Sequence, residues 1–335
     1  MPKVDTVVIG ASAGGVEAMS RLVALLPKDF PATVLVVVHF PQSSSSVLPA
    51  ILSRNGPLPA YHAEEGMEPL PGHIYCAPPG RHLLLRNDRL ALVNGPKENG
   101  NRPAIDPLFR TVAHARHNRV VSVLLSGLLD DGTMGSWSVQ RQGGYVICQD
   151  PEDALFGDMP RHAVEAGACN EILPLEAIGA ALSRLVGRTV PEFPREREMP
   201  DPTEMSLGEL ARLEERGQPS PFVCPECNGT LFELAEEGVP HYRCRVGHSY
   251  LSESLAANKE GALEAALWTA LRSIEEHQDL LRTMYDRAIA RDHALTARGY
   301  RAKLEETAHR LELLRSVLGL GHAPADGSAS VNPIA

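Results

Sequence analysis

The chain's 335 residues, 43% of them hydrophobic and 22% charged, suffice for one large core and a smaller module. A formal net charge of −10 speaks against a nucleic-acid partner, whose phosphates demand a cationic surface. No apolar stretch reaches the roughly twenty residues of a membrane helix and the amino terminus lacks the apolar region of a secretory signal, so a cytoplasmic protein without membrane insertion is expected.

The first element is Val4-Asp5-Thr6-Val7-Val8-Ile9, whose β-branched residues predict a strand. Small residues follow, Gly10-Ala11-Ser12-Ala13-Gly14-Gly15, and Val16-Glu17-Ala18-Met19 then opens a helix. This order delivers Ser12 at a strand's carboxyl end beside a helix amino terminus, where free N–H groups favour negative charge. Two readings fit the motif. One is the nucleophile elbow G-x-S-x-G; the other is a phosphate-cradling turn in which Ser12 replaces the second glycine of G-x-G-x-x-G.

The second strand is the continuous apolar run Thr33-Val34-Leu35-Val36-Val37-Val38, the pattern of a parallel strand covered on both faces. It ends at His39, on the same sheet edge as Ser12. Ser43-Ser44-Ser45-Ser46 then precedes a helix beginning near Val47 and reads as capping. His62, His73, His82, His114 and His117 share no ligand spacing and read as structural or solvent-facing. Asp106-Pro107 reads as the cap and first turn of a helix through Val112. A third strand, Val120-Val121-Ser122-Val123-Leu124-Leu125, runs into Ser126-Gly127-Leu128-Leu129-Asp130-Asp131-Gly132 and brings two carboxylates to that edge.

Serine, histidine and aspartate therefore arrive from three parallel strand ends, where ligands gather in open α/β sheets. A serine hydroxyl is a weak nucleophile until a neutral imidazole takes its proton. A buried carboxylate fixes the imidazole tautomer and stabilises its cation. The chain order Ser, His, Asp differs from the familiar serine hydrolases, but a triad is defined by geometry and roles.

Taken with Ile74-Tyr75-Cys76-Ala77-Pro78-Pro79-Gly80-Arg81-His82, Arg102-Pro103-Ala104-Ile105-Asp106, Met159-Pro160-Arg161 and Glu165-Ala166-Gly167-Ala168, these motifs resemble, in type and order, the CheB-type receptor methylesterases of chemotaxis-like pathways. The resemblance spans roughly residues 4–187. It implies a doubly wound, mostly parallel α/β fold and an esterase that releases methanol from glutamate γ-methyl esters of chemoreceptor-like proteins. It also implies possible deamidation of receptor glutamines by the same acyl chemistry. Carried over by position, Ser12 is the nucleophile, His39 the base and then acid, and Asp131, directly before glycine, the histidine's partner, with Asp130 its competitor. The backbone N–H groups of Ala13 and Leu128 are the oxyanion candidates. Arg81 and Arg102 read either as receptor-orienting cations or as ordinary surface charges. The sequence departs from the family at Gly127-Leu128-Leu129, where Gly-Met-Gly is common. A positive φ at Leu129 would carry a steric cost. The motif also starts at residue 10, so no phosphorylatable receiver domain is expected before it.

Beyond the resemblance, Cys224-Pro225-Glu226-Cys227 and Cys244-Arg245-Val246-Gly247-His248 form C-x2-C and C-x3-H pairs. That spacing predicts a structural zinc held by Cys224, Cys227, Cys244 and His248, with His241 the rival fourth ligand. Thr230–Leu234 and Pro240–Arg243 predict a hairpin between the pairs. Cys148 reads as strand core, and catalysis requires no cofactor. Leu267, Leu271, Ile274, Gln278, Leu281, Tyr285 and Ala288 form a heptad-like seam. Leu304, Ala308, Leu311, Leu314 and Leu318 form a second face, with Gly299 between the runs. An antiparallel hairpin follows, its faces either burying each other or serving self-association or a signalling partner. The expected organisation is a catalytic domain over 1–187 and a proline-rich linker over 188–220 with an amphipathic piece at Leu207–Leu213. A zinc-ribbon-like module over 221–252, a helical hairpin over 253–320 and a disordered tail over 321–335 complete it. A nucleotide-binding protein has no use for His39 or Asp131. A catalytically weak scaffold acting through module and hairpin remains the alternative to the esterase.

Overall fold

In the computed structural model the described residues are 1–41, 46–193, 217–236 and 239–320. The amphipathic piece at 207–213, most of the serine run and the tail 321–335 lie outside them. The chain divides into two compact units, Met1–Ala256 and Ala257–Ala335.

In the first unit, strands and helices alternate as β1 (Thr6–Ala11), α1 (Gly15–Ala24), β2 (Thr33–Val38), α2 (Leu48–Asn55), β3 (Ala60–His62) and β4 (Ile74–Cys76). A hairpin of β5 (His82–Arg86) and β6 (Arg89–Val93) leads to α3 (Ile105–Arg116) and β7 (Val120–Leu124). After these come α4 (Thr133–Arg141), β8 (Tyr145–Gln149), α5 (Asp158–Glu165), β9 (Glu171–Leu173) and α6 (Leu175–Leu185). Seven strands form one sheet in the order β3-β4-β2-β1-β7-β8-β9, and every pairing is parallel.

Every residue of β1 and β2 is buried, as their unbroken apolar runs require when helices cover both faces. Val7, Ile9, Val34 and Val36 pack with α1, α2 and α6 on one face. Val8, Leu35, Leu124 and Val146 pack with α3, α4 and α5 on the other. Each fully buried Val, Leu or Ile side chain contributes about 1.5–3 kcal/mol. From β1 the chain turns one way to β2, and from β7 the other way to β8. The crevice between the carboxyl ends of β1 and β7 is thus the switch point where such sheets take ligands.

Residues 217–256 form a small antiparallel sheet, β10 (Gln218–Val223), β11 (Thr230–Glu236), β12 (Val239–Cys244) and β13 (Ser249–Leu251), followed by the first turn of α7 (Ser252–Ala290). The predicted two-stranded hairpin is therefore the middle of four strands. Nor is 188–220 a linker throughout. Val4 N and Val190 N donate to Arg188 O and Pro2 O, and β10 begins at Gln218. Pro219 and Pro221 lie within β10, at the sheet's edge, where prolines are tolerated because outer N–H groups need no partner.

In the second unit, the rest of α7 and α8 (Ala294–Val317) are tied by the Arg315–Glu275 ion pair at 2.9 Å. The seam positions Leu271, Leu281 and Ala288 are buried. The turn lies at Arg291-Asp292-His293, where Asp292 has φ 57°, and Gly299 sits inside α8. Asp and Asn are the non-glycine residues that best tolerate the left-handed region. Among the described residues no helix is long and apolar enough to cross a membrane.

Candidate active site

Ser12 follows β1 directly. Its N–H donates to Ser126 O at 3.0 Å, and its carbonyl accepts from Gly15 N at 2.9 Å, closing a tight turn before α1. Gly14 has φ 71° there, and a Cβ on it would lie 2.9 Å from Ser126 Oγ. The Ser126 hydroxyl donates to Ala13 O at 2.8 Å and accepts from Phe156 N at 3.0 Å, so it buttresses the turn from the end of β7.

His39 follows β2, and Asp131 lies on the loop after β7. The structure brings both to Ser12. The Ser12 hydroxyl lies 3.0 Å from His39 Nδ1, and His39 Nε2 lies 2.7 Å from Asp131 Oδ2. Asp131 is 1% exposed and accepts from five donors. Oδ2 takes His39 Nε2 and Ile105 N (2.7 Å); Oδ1 takes Asn99 Nδ2 (3.0 Å), Asp106 N (3.2 Å) and Gly132 N (3.0 Å). Burial pushes its carboxyl up, but the bond from His39 and its charge, with Ile105 and Asn99, bring it down to about 2. An ionised Asp131 requires the proton on His39 Nε2. Nδ1 then presents its lone pair to the Ser12 hydroxyl, the arrangement a general base needs.

Asp130 faces away from this relay. Its Oδ2 accepts from Glu253 N at 3.0 Å and Ser254 N at 3.2 Å, and its Oδ1 from the Ser254 hydroxyl. The competitor carboxylate thus caps the start of α7.

Asp106 proves to be more than the predicted cap. It is the second residue of α3, whose N-cap is Ala104, and it is buried. Gly135 N donates to its Oδ1 at 2.6 Å and Asn99 Nδ2 to its Oδ2 at 2.9 Å. Burial, then the charge of Asp131, push its carboxyl well above the ordinary value. Asn99 and Ser126 carried no signal of their own in the sequence, and Asp106 stood out only as part of a family-like motif and as a helix cap. The loop around Asn99 is also held by Glu98, which makes two bonds to Arg110, at 2.8 and 3.2 Å. Burial raises the Glu98 carboxyl, but Arg110 brings it down to about 2.

The oxyanion candidates are the chain neighbours of Ser12 and of Gly127, and a Cβ on Gly127 would lie 2.9 Å from Ser12 Cβ. Gly127 N is committed to Phe156 O at 2.9 Å, whereas the N–H groups of Ala13 and Leu128 donate no hydrogen bond among the described residues. Leu129 has φ 65°, the left-handed conformation its replacement of a glycine made costly, and its carbonyl accepts from His162 Nδ1 at 2.8 Å. A cleft of about 380 Å³ opens beside His39, lined by Phe40, Pro41, Lys97, Gly100, Asn101 and Arg102. Arg102 is anchored to Gly95 O at 2.8 Å, and Lys97 to Glu226 at 2.6 Å.

Elsewhere in this unit, Cys224, Cys227, Cys244 and His248 converge, their ligand atoms all within 4.8 Å of one another. Around one tetrahedral zinc, bond lengths of about 2.3 Å to sulfur and about 2.0–2.1 Å to nitrogen separate two sulfurs by about 3.8 Å and sulfur from nitrogen by about 3.5 Å. Cys227 Sγ lies 3.7 Å from Cys244 Sγ, and His248 Nδ1 lies 3.6 and 3.5 Å from Cys224 Sγ and Cys244 Sγ. The donor set fits a metal ion. His241, the rival ligand, lies in β12 and is not a member of the cluster.

The family model described as CheB methylesterase matches residues 7–182. A protein-glutamate methylesterase/protein-glutamine glutaminase of Symbiobacterium thermophilum is 37% identical over 182 residues, 54% of this chain and 50% of that protein. Protein-glutamate methylesterase FrzG of Myxococcus xanthus is 37% identical over 186 residues, 55% of this chain and 56% of that protein. The chain thus spans about half the length of these two relatives. A putative protein of the same kind from Leptospira interrogans is 35% identical and is matched over 94% of its length by 54% of this chain. The crystal structure of the Thermotoga maritima CheB methylesterase catalytic domain superposes with a TM-score of 0.53 at 34% identity, covering 56% of this chain and 100% of that one.

Proposed function

Since the chain belongs to the CheB methylesterase family, we propose that its first unit is a serine hydrolase removing methyl esters from glutamate side chains of chemoreceptor-like proteins. The observation that carries the proposal is the hydrogen-bonded series from Ser12 through His39 to the buried carboxylate of Asp131. Ser12 Oγ attacks the ester carbonyl as His39 Nδ1 takes its proton. His39 then returns that proton to the departing methoxide, and methanol leaves. Water attacks the glutamyl-enzyme, giving one proton to Nδ1, and the glutamate carboxylate leaves as Ser12 regains its hydrogen. A glutamine amide enters the same cycle and releases ammonia. The Ala13 and Leu128 N–H groups receive the oxyanion; losing one such donor typically costs about a hundredfold or more.

The cationic groups of Lys97 and Arg102 at the cleft suit an acidic receptor helix reached from the cytoplasm. The Cys224, Cys227, Cys244 and His248 cluster holds a structural zinc, whose four protein ligands leave no position for chemistry. The helices of the second unit bury their seams against each other, as the burial of Leu271, Leu281 and Ala288 supports, with service to a partner or self-association the alternative. One observation favours the scaffold reading, the left-handed Leu129 beside the oxyanion loop. Methanol release from methylated receptor membranes decides between the two. Release that disappears in Ser12→Ala supports the esterase; none from folded wild-type protein supports the scaffold.

A further inference from the structure

Asn99 is 3% exposed, belongs to no strand or helix, and touches two parts of the first unit at once. Its Nδ2 donates to Asp131 Oδ1 at 3.0 Å and to Asp106 Oδ2 at 2.9 Å. Its Oδ1 accepts from Leu251 N at 3.0 Å, in β13 of the cysteine-bearing sheet. Reversing the amide would aim its oxygen at two carboxyl groups and its NH2 at an N–H donor, so one orientation satisfies every partner. The backbone repeats the junction. Asn99 N donates to Ser249 O at 2.8 Å, Ser249 N donates to Lys97 O at 3.4 Å, and Lys97 Nζ reaches Glu226, between the two cysteines of the C-x2-C pair. Ser249 follows His248 directly, so the strand that grips Asn99 starts at a ligand of the metal cluster.

We propose that Asn99 is a positioning residue of the esterase, held by the metal-bearing sheet, so that metal binding at Cys224, Cys227, Cys244 and His248 sets the orientation of Asp131 and thereby the reactivity of Ser12. The proposal rests on the esterase reading and adds a dependence that the family match, confined to residues 7–182, does not contain. Such a small sheet draws much of its folding energy from its metal. Without the ion, β13 loosens, Leu251 N and Ser249 O leave Asn99, and its amide no longer stays aligned on Asp131. A buried hydrogen bond to a charged group is a strong one, so its loss slows the nucleophile about tenfold or more.

The test uses the full chain, loaded with zinc or stripped by a chelator, and a fluorophosphonate that needs no receptor. Ser12 Oγ bonds to phosphorus, the P–F bond breaks to release fluoride, and the hydroxyl proton passes to His39. Amide exchange at Asn99, Ile105, Asp106, Ser249 and Leu251 is followed in the same samples. Stripping is expected to expose the Asn99, Ser249 and Leu251 amides and to slow labelling about tenfold. In Asn99→Ala, labelling is expected to be equally slow and insensitive to zinc, with its acid limb moved to higher pH because Asp131 has lost a donor that spreads its charge. In an Asp131→Asn background, Asn99→Ala is expected to add little, since it acts through that carboxylate.

Equal labelling with and without zinc while β13 opens overturns the proposal, as does additivity of Asn99→Ala with Asp131→Asn. The zinc arm leaves Asn99 in place and so decides the matter even if the alanine variant does not fold. Failure of zinc-loaded wild type to label at Ser12 rejects the esterase reading instead. Exchange at Ile105 and Asp106, whose N–H groups contact Asp131, then judges the coupling, and no change there on stripping overturns it. A chain that binds no zinc overturns the metal dependence.

Discussion

Replacing Asp131 by asparagine removes one charge and almost no volume, yet it meets five donors arranged for a carboxylate. Oδ2 faces His39 Nε2 and Ile105 N; Oδ1 faces Asn99 Nδ2, Asp106 N and Gly132 N. Whichever way the new amide turns, its NH2 points at two or three N–H groups. Each buried donor left unpaired costs about 1–3 kcal/mol, so folding stability falls by a few kcal/mol. Catalysis loses more. With NH2 toward His39, the ring keeps its proton on Nδ1 and offers Ser12 no base. The corresponding substitution in a serine-protease triad lowers kcat about 10⁴-fold, or about 5.5 kcal/mol. Methanol release and fluorophosphonate labelling measure the activity, and urea denaturation measures the stability. An Asp131→Asn enzyme within tenfold of wild type, at unchanged stability, would refute the assignment of Asp131 as the partner of His39.

Three other substitutions probe the surroundings of the relay. Gly127→Ala places a Cβ 2.6 Å from the Met159 methyl and 2.9 Å from Ser12 Cβ; it is expected to cost about 1–3 kcal/mol in a urea melt and to slow Ser12 labelling up to about a hundredfold by displacing the nucleophile. Leu129 holds φ 65°, so Leu129→Gly is expected to stay within about 1 kcal/mol of wild type or exceed it, whereas β-branched Leu129→Val loses about 1–2 kcal/mol in the same melts. Glu98, brought from its ordinary 4.5 to about 2 by Arg110, contributes about 3 kcal/mol that is fully present above about pH 4.5 and lost as pH falls toward 2. Glu98→Gln is therefore expected to lower stability at pH 7 and flatten its acid dependence in that window; urea melts from pH 7 to 2.5 that coincide in slope with wild type would exclude the role.

The relay was legible because strand ends are. Unbroken apolar runs placed Ser12, His39 and Asp131 after three parallel strands, and parallel strands end on one edge. Two details lay beyond such patterns. Asp130 and Asp131 are adjacent, and which of them meets His39 depends on where the loop's backbone points them. Asn99 follows no element, so its contacts with Asp131 and Leu251 exist only once two sheets distant in sequence are assembled. The convergence of Cys224, Cys227, Cys244 and His248 was legible by ligand spacing, but β10 and β13 were not, because a proline-bearing edge strand and a three-residue strand leave little periodicity. The hairpin was legible from its two apolar runs, but not the place of its turn, because Asp292 rather than a glycine supplies the left-handed residue there.

The division between the two neighbouring aspartates gives the loop after β7 its meaning. Asp131 turns inward, where His39 and the backbone of α3 offset the burial that opposes its charge. Asp130, also buried, turns instead toward the start of α7, where burial pushes its carboxyl up against the bonds from Ser254. One peptide unit separates a carboxylate bonded to His39 from a carboxyl group that caps α7. Rotating the loop to improve one set of contacts must disturb the other, because the backbone between them has only two soft torsions per residue. The cysteine-bearing sheet and α7 grip that loop and its neighbour through Leu251 and Ser254. The contacts that fix Asp130 and Asn99 therefore come in part from residues 251–254, beyond the stretch that resembles known methylesterases.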